Sequence, residues 1–445
     1  MEQAPHTFES FLTTSAVSYT RDSFGRIMTA TPTTIFTTDA QFTSQTQIID
    51  YVSTGTGAVF VDVSNSVVSL SASGSGGRTV RQSREYLLYQ PGKSQLFTFT
   101  LVPQFSGTFD NSVAVRAGIY DDYRDKNTAG SSNPGNGVEV NQPSMGHFFE
   151  LSGNNWFVVE RANSSNNIEN VNRIPQSNWN IDTLNGDRSR SPSGFILPTT
   201  RPVIFFIERQ WLGVGAVRFG AYFNGRPVAC HAFQNRSYYR PYTHLSKLPM
   251  RWEIEKVSGG SANTATMTSI CGAVHVLGSY SPFGSIFALP NTVSSTLVTV
   301  DTTVRPVLAI SLQQAYCRAT LKLKSLELLN TDNTKNIAYT IFKNPTISGG
   351  AITWTNHPDT RSMARYFYFP TYSVTPYTVS GGTPTRSGYA ISNAAFQQDL
   401  TLEELVTSPS YCSDIKGNCD ILVVTARAIS GTAPILVTLV WLELT

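Results

Sequence analysis

Charge is what this 445-residue sequence has least of. Only 14% of its residues are Asp, Glu, Lys or Arg, against roughly 25% in an average soluble protein. The net charge of +3 is too small to argue for a nucleic-acid-binding face. No apolar run approaches the roughly 18 residues of a membrane helix, so membrane insertion is not expected. The opening MEQAPHTFESF has no basic segment followed by an apolar run, which predicts no secretory leader and folding in a reducing cytoplasm. No segment repeats at a fixed period. Cys230, Cys271, Cys317, Cys412 and Cys419 form no CxxC pair. Of these, Cys412 and Cys419 flank a polar SDIKGN loop and are close enough in sequence for a small disulfide, although the odd count and the strand-like setting of the others argue for free thiols. His6, His147, His231, His244, His275 and His357 show no metal-ligand spacing. Neither a metal nor a cofactor is expected.

What the chain does have is apolar bulk, turn residues and alternation. Hydrophobic residues make up 40% and aromatics 11%, so the core is large and the polar surface must come from Ser, Thr, Asn and Gln. The stretch 205–255 shows the pattern best. Val217, Phe219 and Ala221 point one way; Arg218, Gly220 and Tyr222 point the other. Asn224-Gly225 suits the positive φ angles of a two-residue hairpin, and Val228, Cys230 and Ala232 resume the alternation. Later, Trp252 and Ile254 oppose Arg251, Glu253 and Glu255. Similar runs occupy most of the chain from Ala58 onward, with turns expected at Gly153-Asn154, Gly349-Gly350 and Ser430-Gly431. LTLEELVTSPS (400–410) is the best helix candidate. Many short strands with dense turn signals mean β-sandwiches or jelly rolls. The expected fold is all-β: a polar N-terminal arm (1–54), a sandwich module (55–285), a linker (286–294) and a second sandwich module (295–445).

Several groups are candidate sites. Glu253 and Glu255 lie two apart, so a strand would place both carboxylates on one face, roughly 6.5 Å apart. That spacing is near what glycosidases need, but the E-x-D-x-x-E run is broken, and a solvated face paired with Arg251 or Lys256 is the expectation. Asp121, Asp122 and Asp125 lack the glycine and distal acid of a calcium loop and read as an exposed turn. GVG at 213–215 lacks the setting of a phosphate loop and reads as relief of crowding or a bulge within a strand. Asn163 and Asn235 fit the glycosylation sequon, but without a leader nothing is read into them. The loop 234–245 carries Arg236, Tyr238, Tyr239, Arg240, Tyr242 and His244. Tyr and Arg favour interface centres and also stack on sugars. Three readings stay open for it: a subunit interface, a loop covering its own sheet, or a glycan or receptor site.

VRQSREYLLYQPGKSQ (80–95), ERQWLGVGAVRFGAYFNGRPVACHAF (208–233), LSKLPMRWEIEK (245–256) and DILVVTARAISGTAPILVTLVWLEL (420–444) together resemble structural proteins of large double-stranded DNA viruses and marine tailed phages. The resemblance spans about two thirds of the chain, from about residue 75 to the end. It implies a virion component, capsid or appendage, and no enzyme. The first module also looks loosely like a concanavalin-type jelly roll. The function expected is a non-catalytic capsid or capsid-associated subunit, made in the host cytoplasm and carried in the virion. It would act by assembly with copies of itself and with other virion proteins. Alternatives are a tail-fibre or spike protein, expected as a trimer, that binds a host glycan or receptor, and a jelly-roll carbohydrate-active enzyme.

Overall fold

The computed structural model describes residues 32–122, 144–161, 172–235, 241–243, 245–257, 263–281, 283–290, 297–371, 377–392, 394–400, 404 and 408–444. The fold is all-β, and every strand ladder described is antiparallel. The chain divides into two compact units that meet in sequence between Tyr280 and Ser281.

The first unit is a sandwich of two sheets. One runs in the order Arg226–Phe233, Val217–Phe223, Val203–Arg209, Gln95–Gly107, Ala265–Leu277, Val67–Ala72 and Ala58–Asp62, with Pro32–Thr38 also paired to Ala265–Leu277. The other runs Asn172–Pro175, Asn155–Arg161, Met145–Ser152, Val113–Asp121, Met250–Lys256, Arg78–Ser83 and Ile49–Thr54. Alternation supplies the core between them. Phe205 of the first sheet packs 4.7 Å from Phe149 and 5.5 Å from Trp156 of the second, centroid to centroid. Phe99 stacks on Phe205 at 5.7 Å and meets the edge of Trp252. All five are buried, and each contributes about 1.5–3 kcal/mol or more by leaving water.

The hairpin expected at Asn224-Gly225 is present. Asn224 (φ 50°) and Gly225 (φ 73°) close the hairpin in which Phe223 pairs with Arg226. Farther along, a bulge between Phe219 and Gly220 shifts the register. Cys230 and Phe233 reach the core while Ala232 does not, so the return strand does not alternate cleanly.

The second unit is also a sandwich. One sheet orders Ser285–Pro290, Ala433–Leu444, Thr320–Asn330 and Ala394–Asp399, with Val298–Val300 and Ser410–Tyr411 added at its sides; the other orders Thr355–Asn356, Ala364–Tyr368, Arg305–Leu312, Ile421–Ala428, Ile337–Lys343 and Thr383–Ala390. Glu443 of one sheet accepts hydrogen bonds from Ser362 Oγ (2.6 Å) and the Met363 amide (2.8 Å).

Several expectations are corrected by long-range pairing. Pro32–Thr38 and Ile49–Thr54, within the expected arm, are sheet strands. Ser285–Pro290, all but its first residue in the expected linker, pairs with the closing strand Ala433–Leu444. Gly349-Gly350 is no hairpin, because Thr346–Ser348 pairs with Thr378–Ser380. Ser430-Gly431 carries the chain from one sheet to the other, since the strands on its two sides belong to different sheets. Of the helix expected at 400–410, residues 401–403 and 405–407 lie outside the described residues.

Candidate functional site

The strand Met250–Lys256 lies between Val113–Asp121 and Arg78–Ser83 in the seven-stranded sheet. Met250, Trp252 and Ile254 enter the core, so Arg251, Glu253 and Glu255 share the opposite face. Register then sets their neighbours. Glu253 sits across from Arg116 on one side and Val80 on the other; Glu255 sits across from Ala114 and Arg78.

The result is an ionic network. Glu253 Oε1 accepts from Arg116 Nη1 at 2.7 Å. Its Oε2 accepts from Arg251 Nη2 at 2.6 Å, from Arg78 Nη2 at 3.1 Å and from the Tyr120 hydroxyl at 3.4 Å. Arg116 also reaches Glu255, and its Nε donates to Glu150 at 2.6 Å. Arg173 holds the other oxygen of Glu150 at 2.7 Å. Asp122 is paired with Arg161 at 3.2 Å and Arg78 at 3.5 Å. The Arg251 guanidinium lies over the Tyr120 ring and that of Arg161 over Phe148.

Both members of the Arg251–Glu253 pair are fully buried. Taking such charges out of water is costly, and only dense mutual pairing offsets it. Burial pushes the Glu150 carboxyl up, but Arg116 and Arg173 outweigh it and hold the group below its ordinary value. Burial works against the Arg116 charge too, yet Glu150, Glu253 and Glu255 hold that guanidinium protonated. Glu150 is therefore kept ionised, and Glu150, Glu253 and Glu255 are all occupied by guanidiniums.

This corrects the expected solvated face. Arg251 is a partner of Glu253, but the face is buried, and the Lys256 ammonium turns instead to the Asn263 carbonyl. The Asp121-Asp122 turn is likewise buried rather than exposed. Asp125 lies outside the described residues. Sequence reading missed Arg78, Arg116, Arg161, Arg173, Asp122 and Glu150 as members of one group. A signal was present in VAVRAG, where Arg116 stands in the phase opposite to Val113, Val115 and Ala117.

Of the loop residues proposed as contacts, Arg236, Tyr238, Tyr239, Arg240 and His244 lie outside the described residues. Tyr242 is described and is no surface contact. It is 2% exposed and packs edge-on to His147 at 5.4 Å, with its amide bonded to the Gly213 carbonyl. Its apolar ring area drives it inward. Asn235 is buried as well, donating to Glu160 at 3.1 Å and to the Gly215 carbonyl at 3.2 Å.

The GVG glycines serve the turn between Val203–Arg209 and Val217–Phe223 rather than a strand. Gly213 has φ 80°, and a Cβ on Gly215 would lie 1.7 Å from the Gln210 carbonyl oxygen. All five cysteines are free thiols. Among the described residues, no three His, Cys, Asp or Glu side chains are arranged to hold a metal ion, and no helix is long and apolar enough to cross a membrane.

No family model matches the chain, and no curated protein matches it. Solved structures do. An endo-1,3-beta-glucanase from Streptomyces sioyaensis is 12% identical with a TM-score of 0.34, covering 56% of this chain and 97% of its own. The Emp47p carbohydrate recognition domain is 8% identical, with a TM-score of 0.32 and the same coverage. A carbohydrate esterase, vb_24B_21, from the Shiga toxin-encoding bacteriophage phi24B is 12% identical at a TM-score of 0.31, covering 56% of this chain and all of its own. Likeness at this level carries nothing about ligand or chemistry to this chain.

Proposed function

We propose that this chain is a non-catalytic structural subunit of a virion, capsid or capsid-associated, that works by assembling with further copies of itself and with other virion proteins. The observation that carries the reading is the closed ionic network around Glu253. A general acid or base must change protonation near working pH. Here Glu253 is held by three guanidiniums, Glu255 by one of the same three, and Glu150 by two. Such a face stiffens a sheet and offers no free acid.

Association is supported by the second unit. On the outer face of its sheet containing Ala433–Leu444, Ile286 is 56% exposed and Leu329 38% exposed. Half-buried Leu436 and Val440 lie beside them in register with Leu329 and Ala288. Burying this apolar area against a second copy is favourable without strong electrostatics, in keeping with the low charge content.

Imaging purified particles with this chain located in the density tests the proposal. The chain should occupy repeated, symmetry-related positions. Absence from particles, together with a monomer at high concentration in sedimentation, overturns it. If the purified chain forms a stable trimer and binds on a glycan array, the fibre reading replaces it.

A further inference from the structure

Among its described residues the first unit exposes five arginines and no lysine. Arg173 is taken up by Glu150. The other four, Arg188, Arg190, Arg201 and Arg226, make no ion pair among the described residues. The fold gathers them at one end of the sandwich, in a chain with only 14% charged residues.

Two elements build that end. The first is the loop from Asp182 to Leu197, which is pinned on itself. The Leu184 carbonyl accepts from the Leu197 amide at 2.9 Å and the Phe195 carbonyl from the Gly186 amide at 3.1 Å. The buried Asp182 carboxylate accepts from the Leu184 amide (2.8 Å), the Ser191 hydroxyl (2.7 Å) and the Ser193 amide (2.9 Å). Asp187, the other acid of the loop, accepts from the Ser189 amide and hydroxyl. Both acids hold the loop together, and Arg188 and Arg190 stand out from it into solvent. A Cβ on Gly194 would lie 3.1 Å from Arg188 Nη2, so that guanidinium lies across the loop next to Phe195.

The second element is the Asn224-Gly225 hairpin. Phe223 and Arg226 face each other across the turn, so their side chains leave the ribbon on the same side. Phe223 stacks on Phe195 with centroids 4.5 Å apart. Arg226 is thereby brought beside the loop that carries Arg188 and Arg190. The strand Val203–Arg209 runs antiparallel to Val217–Phe223 with Phe205 opposite Ala221. Four residues farther along each, Arg201 and Gly225 come abreast. Counting both acids of the loop, the cations still outnumber the anions by two.

We propose that this end of the first unit binds a sulfated polysaccharide, its sulfate groups held by Arg188, Arg190, Arg201 and Arg226. A guanidinium presents paired N–H donors that match two oxygens of a tetrahedral oxyanion, and it is more weakly hydrated than an ammonium. The loop is fixed before any ligand arrives, which lowers the ordering cost of binding. Ser189 and Asn224, exposed between the arginines, offer a hydroxyl and an amide to the neutral parts of a sugar. A nucleic acid is the poorer fit. Its charge repeats along the whole strand and calls for an extended basic track, while this cluster is small and the net charge of the chain is only +3. The inference concerns one folded unit and does not rest on the virion reading.

The test is binding of the full chain to immobilised heparin, with soluble heparin, desulfated heparin and double-stranded DNA as competitors. The chain should bind at physiological ionic strength and be released by added sodium chloride, since exposed charge contacts are screened. Each of Arg188→Gln, Arg190→Gln, Arg201→Gln and Arg226→Gln should raise Kd about two- to fivefold, the worth of one exposed charge pair, and the four together should abolish binding. Tm should stay within about 2 °C of wild type, because the side chains are exposed. Arg427→Gln, which removes an exposed charge from the second unit, should leave Kd unchanged. No binding by the wild type, an equal loss in Arg427→Gln, or displacement by desulfated heparin as effective as by heparin overturns the proposal. Stronger displacement by DNA than by heparin overturns it too, and assigns the arginines to nucleic acid.

Discussion

Glu253→Gln is the sharpest perturbation this structure offers. The amide keeps the size of the side chain and removes its charge. Three guanidiniums converge on the carboxylate, from Arg251 at 2.6 Å, Arg116 at 2.7 Å and Arg78 at 3.1 Å. An amide oxygen can accept from part of that set, while its NH2 faces donors it cannot satisfy. Removing one member of a buried ion pair costs about 3–5 kcal/mol, because the remaining charge stays buried. With Glu150, Glu255 and Asp122 still present, the low end is the better expectation for Arg116 and the high end for Arg251, which is fully buried. For a unit of this size about 2–4 °C of Tm accompany each kcal/mol, so Tm should fall by roughly 6–20 °C. Urea unfolding followed by near-ultraviolet circular dichroism measures it, with the change in midpoint read at constant slope. Glu255→Gln is the control. That carboxylate is 13% exposed, and its loss should cost about 1 kcal/mol or less. A loss below about 1 kcal/mol for Glu253→Gln would refute the reasoning, since the network would then be effectively hydrated. Glycan hydrolysis by the wild type that Glu253→Gln abolishes without loss of stability would refute the structural reading itself.

Three further outcomes are expected. Gly220→Ala should destabilise the first unit by about 1–3 kcal/mol, because a Cβ there would lie 2.0 Å from Phe206 Cζ and 2.3 Å from the Val228 carbonyl oxygen; an unchanged urea midpoint would show the sheet giving way freely. Burial holds His231 down to about 4, and His147 is also lowered by burial. Between that value and 6.5 the unfolded chain binds protons the folded chain does not, so stability is present above about pH 6.5 and is lost as pH falls, by no more than about 1.4 kcal/mol per pH unit per histidine. The slope of unfolding free energy from pH 6.5 to 4.5 should flatten in His231→Gln, and an identical slope in both proteins would count against it. Ile286→Asp should reduce self-association in analytical ultracentrifugation while leaving Tm nearly unchanged, as the side chain is mostly exposed; undiminished assembly would move the contact to another face.

Much of the sandwich was legible because its signals are local. Period-two alternation put Val217, Phe219 and Ala221, and likewise Trp252 and Ile254, on one face of their strands, and the structure turns that face to the core. Asn224-Gly225 specified its hairpin because positive φ at two successive residues is a property of those residues. Other turn signals misled for a related reason. Gly349-Gly350 and Ser430-Gly431 do mark turns, but a turn does not say whether the next strand returns beside the last or crosses to the other sheet.

The site was the least legible part. Glu253 read as an exposed acid because its own strand carries only one face of information. Its partners Arg116 and Arg78 lie 137 and 175 residues away in the chain, and Arg209 meets Gln95 across 114. What the sequence by itself determined is the strand content, the core-facing phase and the tight hairpins, since each depends on neighbours within a few residues. What only the tertiary structure decided is which strands pair, in what register, and so which charges meet. A one-residue slip would turn Glu253 to the other face, and no local pattern reports the choice between registers that distant segments make together.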